Sequence, residues 1–267
     1  MGIFDKKTAL QKEQEKLSVQ EQNFLRKRMK KKDSILNQKL AEKVPPKLQS
    51  TLDAAFMKAF ELVFEKGTVI IEKTYQKEKI EQDYQVSHYA SKVKQDRKTL
   101  RSFSKKVKGT GTKNVFISGA SGIGMGVLGI GLPDIPIFTG MILKDIYEIA
   151  LHYGYRYDTQ EEKYFILLII KGAISYGEQL KNTNDKLNEY IENEEIPVDY
   201  DAEKVMKDTA RALSKELLYI KFLQGIPVAG AVGGAFDAVY MQRITEYAGL
   251  KYKRRYLRKR SKEMYRY

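Results

Sequence analysis

Three sets of residues in this chain have types and spacings that could do chemistry. The first is glycine. After an apolar run from Asn114 to Ile117, Gly119, Gly122 and Gly124 form a close-set series, and Gly124, Gly126 and Gly129 spell G-x-G-x-x-G. Such glycines let a backbone turn approach a phosphate. Tyr247 and Lys251 add a Tyr-x-x-x-Lys spacing. The second set is acidic: Asp134, Asp145 and Asp237 stand beside or within apolar segments, where a carboxylate is costly unless paired or capping a helix. Asp134 follows Pro133 and suits the cap of a helix beginning near Ile135; a polar site shared by Asp134 and Asp237 is the alternative. The third set is basic. From Lys251 to Tyr267 run Lys251, Lys253, Arg254, Arg255, Arg258, Lys259, Arg260, Lys262 and Arg266 against Glu263 alone.

Each set has a competing structural explanation. The glycine turn resembles that of the short-chain dehydrogenases, but a dinucleotide fold needs strands and helices in alternation after it. Here Ile137 to Tyr153 reads as helix, and no later run of strands follows. An NAD(P)-dependent dehydrogenase is therefore the third functional alternative. A membrane span is also a poor fit: the 19 residues from Val115 to Pro133 carry no charge, yet six are glycine and Asp134 follows at once. A partly inserted hairpin or close helix packing suits them better. Gly122 and Gly126 lie four apart, as do Gly230 and Gly234, so each pair would let two backbones approach closely. Pro133, Pro136, Gly140 and Pro227 punctuate the same segments.

Other catalytic classes find little support. With no cysteine, the chain offers no thiolate nucleophile or cysteine-ligated metal. His88 and His152 are the only histidines, and neither sits in a metal-spaced cluster. No serine lies in a nucleophile motif. The sequence therefore calls for no cofactor, no metal and no catalytic residue.

The elements that must position these residues are helices. Leu52, Ala55, Phe56, Ala59, Phe60 and Val63 recur at spacings of three and four, which predicts an amphipathic helix ending at Gly67. Val69 to Ile71 continues as helix rather than strand, and Tyr164 to Ile170 predicts an apolar helix. Residues 5 to about 44 are rich in Lys, Glu and Gln, with sparse apolar positions at Leu10, Leu17, Phe24 and Leu25, and read as an exposed or loosely docked arm. Pro45 and Pro46 mark its boundary. At an offset of 94, Gly131, Pro133, Gly140 and Tyr153 match Gly225, Pro227, Gly234 and Tyr247, which suggests two glycine-rich helical hairpins related by a weak internal repeat.

The stretch Gly131-Leu132-Pro133-Asp134-Ile135-Pro136-Ile137-Phe138-Thr139-Gly140, continuing through Ile146-Tyr147-Glu148-Ile149-Ala150 to Tyr153-Gly154-Tyr155, resembles the signature of the EcsC family. Ile226-Pro227-Val228-Ala229-Gly230 and Gly233-Gly234-Ala235-Phe236-Asp237 are similar to that family's C-terminal part. The resemblance spans roughly residues 48 to 250. It implies a bacterial protein associated with an ABC-type transporter and carries no established catalytic activity. No Walker A motif is present, so the chain would be an accessory to such a pump.

The sequence thus predicts an all-α protein in three parts: a charged arm over 1–45, an EcsC-like helical domain over 46–250 and a basic tail over 251–267. The formal charge of +14 attracts anionic surfaces. In the tail, Tyr252, Tyr256, Tyr265 and Tyr267 interleave with Lys251, Lys253, Arg254, Arg255, Arg258, Lys259 and Arg260, a pattern suited to an anionic bilayer surface. The expected function is a non-catalytic accessory, cytoplasmic and peripheral to the inner face of the membrane. Nucleic acid is the alternative partner, since it would use the same charges and rings.

Overall fold

Each helix begins and ends where local chemistry requires it. The structure is a computed structural model that describes residues 7–29, 44–107, 134–223 and 235–264. Helix α1 (Ala9–Arg26) opens on a reciprocal capping box in which the Gln11 amide donates to Thr8 and the Thr8 amide donates to the Gln11 side chain. Helix α2 begins with Pro46 in its first turn and runs through Leu62. It does not stop at Gly67, as its sequence suggests. Val63–Gly67 form a π-helical turn, Gly67 keeps right-handed helical angles, and the helix resumes over Thr68–Glu72. Thr68 steadies the wide turn by donating its hydroxyl to the Val63 carbonyl at 3.1 Å.

Helix α3 (Lys77–Lys94) ends on left-handed Gln95, and α4 (Arg97–Val107) follows at once, capped by Asp96 accepting from the Thr99 amide. Helix α5 (Asp134–His152) carries Pro136 in its first turn and terminates where Gly154 adopts φ +78°. Thr159 caps α6 (Gln160–Ile174), after which come α7 (Gly177–Asn193), α8 (Ala202–Leu223) and α9 (Ala235–Met264). Among the described residues there is no strand. The all-α expectation holds, and the parallel sheet of a dehydrogenase has no elements among these residues.

Helix α6 lies at the centre. Its run Tyr164-Phe165-Ile166-Leu167-Leu168-Ile169-Ile170 is buried on every side, as an all-round apolar helix must be. It packs against α7, α8 and α9, while α8 packs on α2, and α5 bridges α2, α3 and α9. Helix α1 lies along α9 and touches α4. Leu10, Leu17 and Phe24 of α1 belong to the same core as Tyr252, Tyr256 and Leu257 of α9. The expected division at residues 45 and 250 therefore gives way to one core in which the arm and most of the tail are built. The glycine-rich hairpins and their repeat fall largely outside the described residues.

Three glycines have different environments. A Cβ on Gly154 would lie 2.1 Å from Cζ of Tyr84, in a left-handed backbone conformation. At Gly172 it would meet Cε1 of Tyr247 at 2.7 Å, whereas at Gly249 the nearest atom is Cγ1 of Val107 at 3.5 Å. Gly154→Ala is expected to destabilise by about 2 kcal/mol or more through overpacking and strain. Gly249→Ala, in mid-helix, is expected to be neutral or to gain about 0.5 kcal/mol. Chemical denaturation of both variants checks the contrast.

Candidate functional site

The basic residues of the tail turn inward. Residues 251–264 continue α9 without a break, and its apolar ridge of Tyr252, Tyr256 and Leu257 draws the neighbouring lysines and arginines against buried acids. Lys251 is 1% exposed, and its ammonium lies 3.1 Å from Glu21, which also receives Arg254 Nη2 at 2.5 Å. Lys253 Nζ is 3.2 Å from Glu13. The other oxygen of Glu13 accepts from Arg101 Nε at 2.8 Å and Arg97 Nε at 3.1 Å, both from α4. Burial alone would raise the Glu13 carboxyl, but the bonds from Arg101, Lys253 and Arg97 outweigh it and hold the group below the usual carboxylate range.

Further along, Arg255 donates to Glu162 of α6 at 2.6 Å and stacks over the Tyr155 ring at 4.1 Å. Tyr252 donates to the same carboxylate at 2.6 Å. Arg258 pairs with Glu192 near the surface, and Arg260 bonds Glu263 at 2.6 Å while 5% exposed. Only Arg258 and Lys259 of the seven candidate surface cations are exposed. The expected free tail is therefore corrected: Lys251, Lys253, Arg254, Arg255 and Arg260 are structural. The sequence separations, up to 240 residues between Glu13 and Lys253, explain why charge runs alone could not show this.

The acidic candidates part company. Asp134 opens α5 and Asp237 lies in the first turn of α9, but their side chains fall outside the described residues, as do Gly122, Gly126, Pro133, Pro227, Gly230 and Gly234. Gly140 is buried within α5, and Pro136 is partly buried. Asp145 is buried against α9 and accepts a long 3.4 Å bond from Thr245. Burial pushes its carboxyl up to about 7, with Lys144 opposing the rise and Glu148 adding to it. His152 is also buried, makes no hydrogen bond at Nδ1, and is pushed down to about 4 by burial and then by Lys106. Tyr247 and Lys251, the Tyr-x-x-x-Lys pair, are held by Asn184 and Glu21 respectively. No group of three or more acidic or histidine side chains among the described residues could hold a metal ion.

One face remains unpartnered among the described residues. On α3, Val86, Tyr89 and Val93 are 71%, 71% and 64% exposed at spacings of three and four, opposite the buried Ile80, Tyr84 and Ser91. The adjoining α4 carries five basic residues and no acid. Arg97, Arg101 and Lys106 are occupied by Glu13 and Asp83, while Lys98 and Lys105 point outward without an ion pair among the described residues. Composition and charge runs overlooked this stripe because three apolar positions in a charged helix pass for noise; only its exposure distinguishes it.

Fold and site together define an all-helical protein closed by internal ion pairs, with an amphipathic face on the α3–α4 hairpin. The chain belongs to the EcsC protein family, whose model matches residues 8–257. That match reaches beyond the stretch 48–250 on which the resemblance rests and takes in α1. No match was found among curated proteins or among solved structures.

Removing one member of a buried pair leaves the other charge uncompensated. Glu13→Gln is expected to cost about 3 kcal/mol, against about 0.5 kcal/mol or less for Arg258→Gln at the exposed pair. Urea melts at neutral pH compare them. Asp145 obeys the opposite sign. Because folding raises its pKa, it favours folding when protonated, and that contribution is lost as pH rises from about 4 to about 7. Asp145→Asn should therefore raise the melting temperature at pH 8 and lose this advantage towards pH 4; an equal effect at both would refute the assignment.

Proposed function

We propose that this EcsC-family protein is a non-catalytic accessory that associates reversibly with an anionic membrane surface at the cytoplasmic face, in support of an ABC-type transporter. The observation that carries the reading is the exposed Val86–Tyr89–Val93 stripe of α3, a helix that packs on α4 with its exposed Lys98 and Lys105. Apolar side chains on one helix face, an aromatic ring at headgroup depth and a basic border are what an interfacial helix requires. The contact thus moves from the tail to the α3–α4 hairpin. No helix among the described residues is long and apolar enough to cross a membrane.

Magnitudes fit a peripheral contact. Inserting the three stripe residues contributes about 3 kcal/mol. Lys79, Lys94, Lys98 and Lys105 add about 1 kcal/mol each near anionic lipid. The exposed Glu78 and Glu81 of α3 oppose them by a similar amount each, so about 5 kcal/mol remains, which corresponds to dissociation on the order of 0.2 mM before any orientation cost. Nucleic acid loses ground by the same geometry, because the tail cations it would engage are committed to Glu13, Glu21 and Glu162.

Co-sedimentation with anionic and neutral vesicles across a salt series tests the reading. The wild type is expected to bind anionic vesicles in a salt-dependent way, and a Val86→Ser, Tyr89→Ser, Val93→Ser variant to bind at least about tenfold more weakly. Undiminished binding by a folded triple variant would overturn the assignment to α3.

A further inference from the structure

Helices α7 and α8 both pack on α6, and far more extensively than on each other, so a trough is left between them with α6 as its floor. It spans about 380 Å³, within the range of a small-molecule site. Tyr164, Leu168 and Val205 make its base apolar, and Tyr200 stands edge-on to the Tyr164 ring at 5.2 Å. Lys171 donates to Asp208 at 2.9 Å and joins α6 to α8 at the far end.

The facing of α7 is fixed from its other side. Asn184 accepts from Tyr247 at 3.0 Å and Asn188 from Lys251 at 2.9 Å, both of α9. With that edge held against α9, Gln179, Asn182 and Lys186, at spacings of three and four, share the opposite edge and line the trough. All three are exposed, and their side chains make no hydrogen bond or ion pair among the described residues. Asp208 neutralises Lys171, so the charge left over among the lining residues is the single positive charge of Lys186. The two side-chain amides each donate and accept, as a peptide bond does. From the level of Tyr164 to that of Lys171 the floor helix rises about 10 Å, room for one amino acid and an acyl group on its nitrogen.

We propose that this trough binds a small carboxylate that also carries an amide and an apolar group, the chemistry of an N-acyl amino acid. The carboxylate pairs with Lys186, the amide meets Asn182 and Gln179, and the apolar group lies on Tyr164, Leu168 and Val205. A free acylated amino acid and the carboxyl terminus of a peptide both present these groups. The site shares no residue with the α3 stripe and does not depend on the membrane reading.

N-acetyl-L-phenylalanine is the probe, titrated at neutral pH and constant ionic strength and followed by ligand-observed NMR. Saturable binding with a Kd of about 1 mM or tighter is expected, and the uncharged N-acetyl-L-phenylalaninamide should bind at least about tenfold more weakly. Lys186→Gln should weaken binding of the acid by at least about tenfold. Lys181→Gln, exposed on the same helix but outside the trough, should leave it unchanged. Val205→Trp, at a partly buried position, should fill the trough and abolish binding. The exposed positions of both lysines keep these variants folded, which circular dichroism checks. Acetyl-Gly-Gly-Gly-Phe separates the sources: retained affinity assigns the trough to a peptide terminus, and lost affinity assigns it to a free acylated amino acid. Absence of saturable binding of the acid, equal binding of the amide, or equal losses in Lys181→Gln and Lys186→Gln overturns the proposal.

Discussion

Three buried carboxylates, Glu13, Glu21 and Glu162, decide where the last helix goes. Without them, the cations of α9 between Lys251 and Arg255 could not enter the core, because an unpaired ammonium or guanidinium away from water is prohibitively costly. With them, a sequence that looks like a solvated tail becomes a core helix. Tyr252 reaches the heart of the molecule only because the flanking Lys251, Lys253 and Arg255 each find an acid on α1 or α6. Paired ions of this kind add little net stability over apolar residues of similar size, but they fix register: a slip of α9 by one residue would leave several charges unmatched at once.

The same constraint organises the exterior. Once Arg97 and Arg101 are spent on Glu13, the exposed charges left on the α3–α4 hairpin are lysines such as Lys79, Lys94, Lys98 and Lys105 and the carboxylates of Glu78 and Glu81, around an apolar stripe. The net charge of the chain is thus a poor guide to where its positive surface lies. At the other extreme, burial outweighs the nearby opposite charge at Asp145 and at His152, so both favour their neutral forms and their stability contributions run in opposite directions with pH.

Much of the fold was legible because it depends on short-range periodicity. The stripe Leu52, Ala55, Phe56, Ala59 and Phe60 and the apolar run of α6 announce buried helices from spacing alone. The helix runs past Gly67, where its sequence suggests an end, because glycine is only a weak helix breaker and the π turn keeps it helical. The role of the tail was not legible, since its buried acid partners Glu13, Glu21 and Glu162 lie 90 to 240 residues away and a pairwise charge match at that distance leaves no local trace. Leu10, Glu13, Leu17, Glu21 and Phe24 did share one spacing, and acids placed on the same face as the apolar residues are the signal by which α1 could have been recognised as an inward-facing helix with a basic partner. The exposed stripe on α3 is the converse case, an apolar helix face that no described residue covers.

The seam between α1 and α9 also has a temporal side. Glu13 and Lys253 are joined across 240 positions, so α1 is made long before its partner helix α9. While the chain is being synthesised, Leu10, Leu17 and Phe24 have no surface to cover, and α4 alone offers Arg97 and Arg101 as provisional partners. Closing so long a loop is slow and exposes apolar surface in the interval. The alternation of acids with sparse apolar residues along α1 keeps that waiting helix soluble, and the same glutamates later lock it in place.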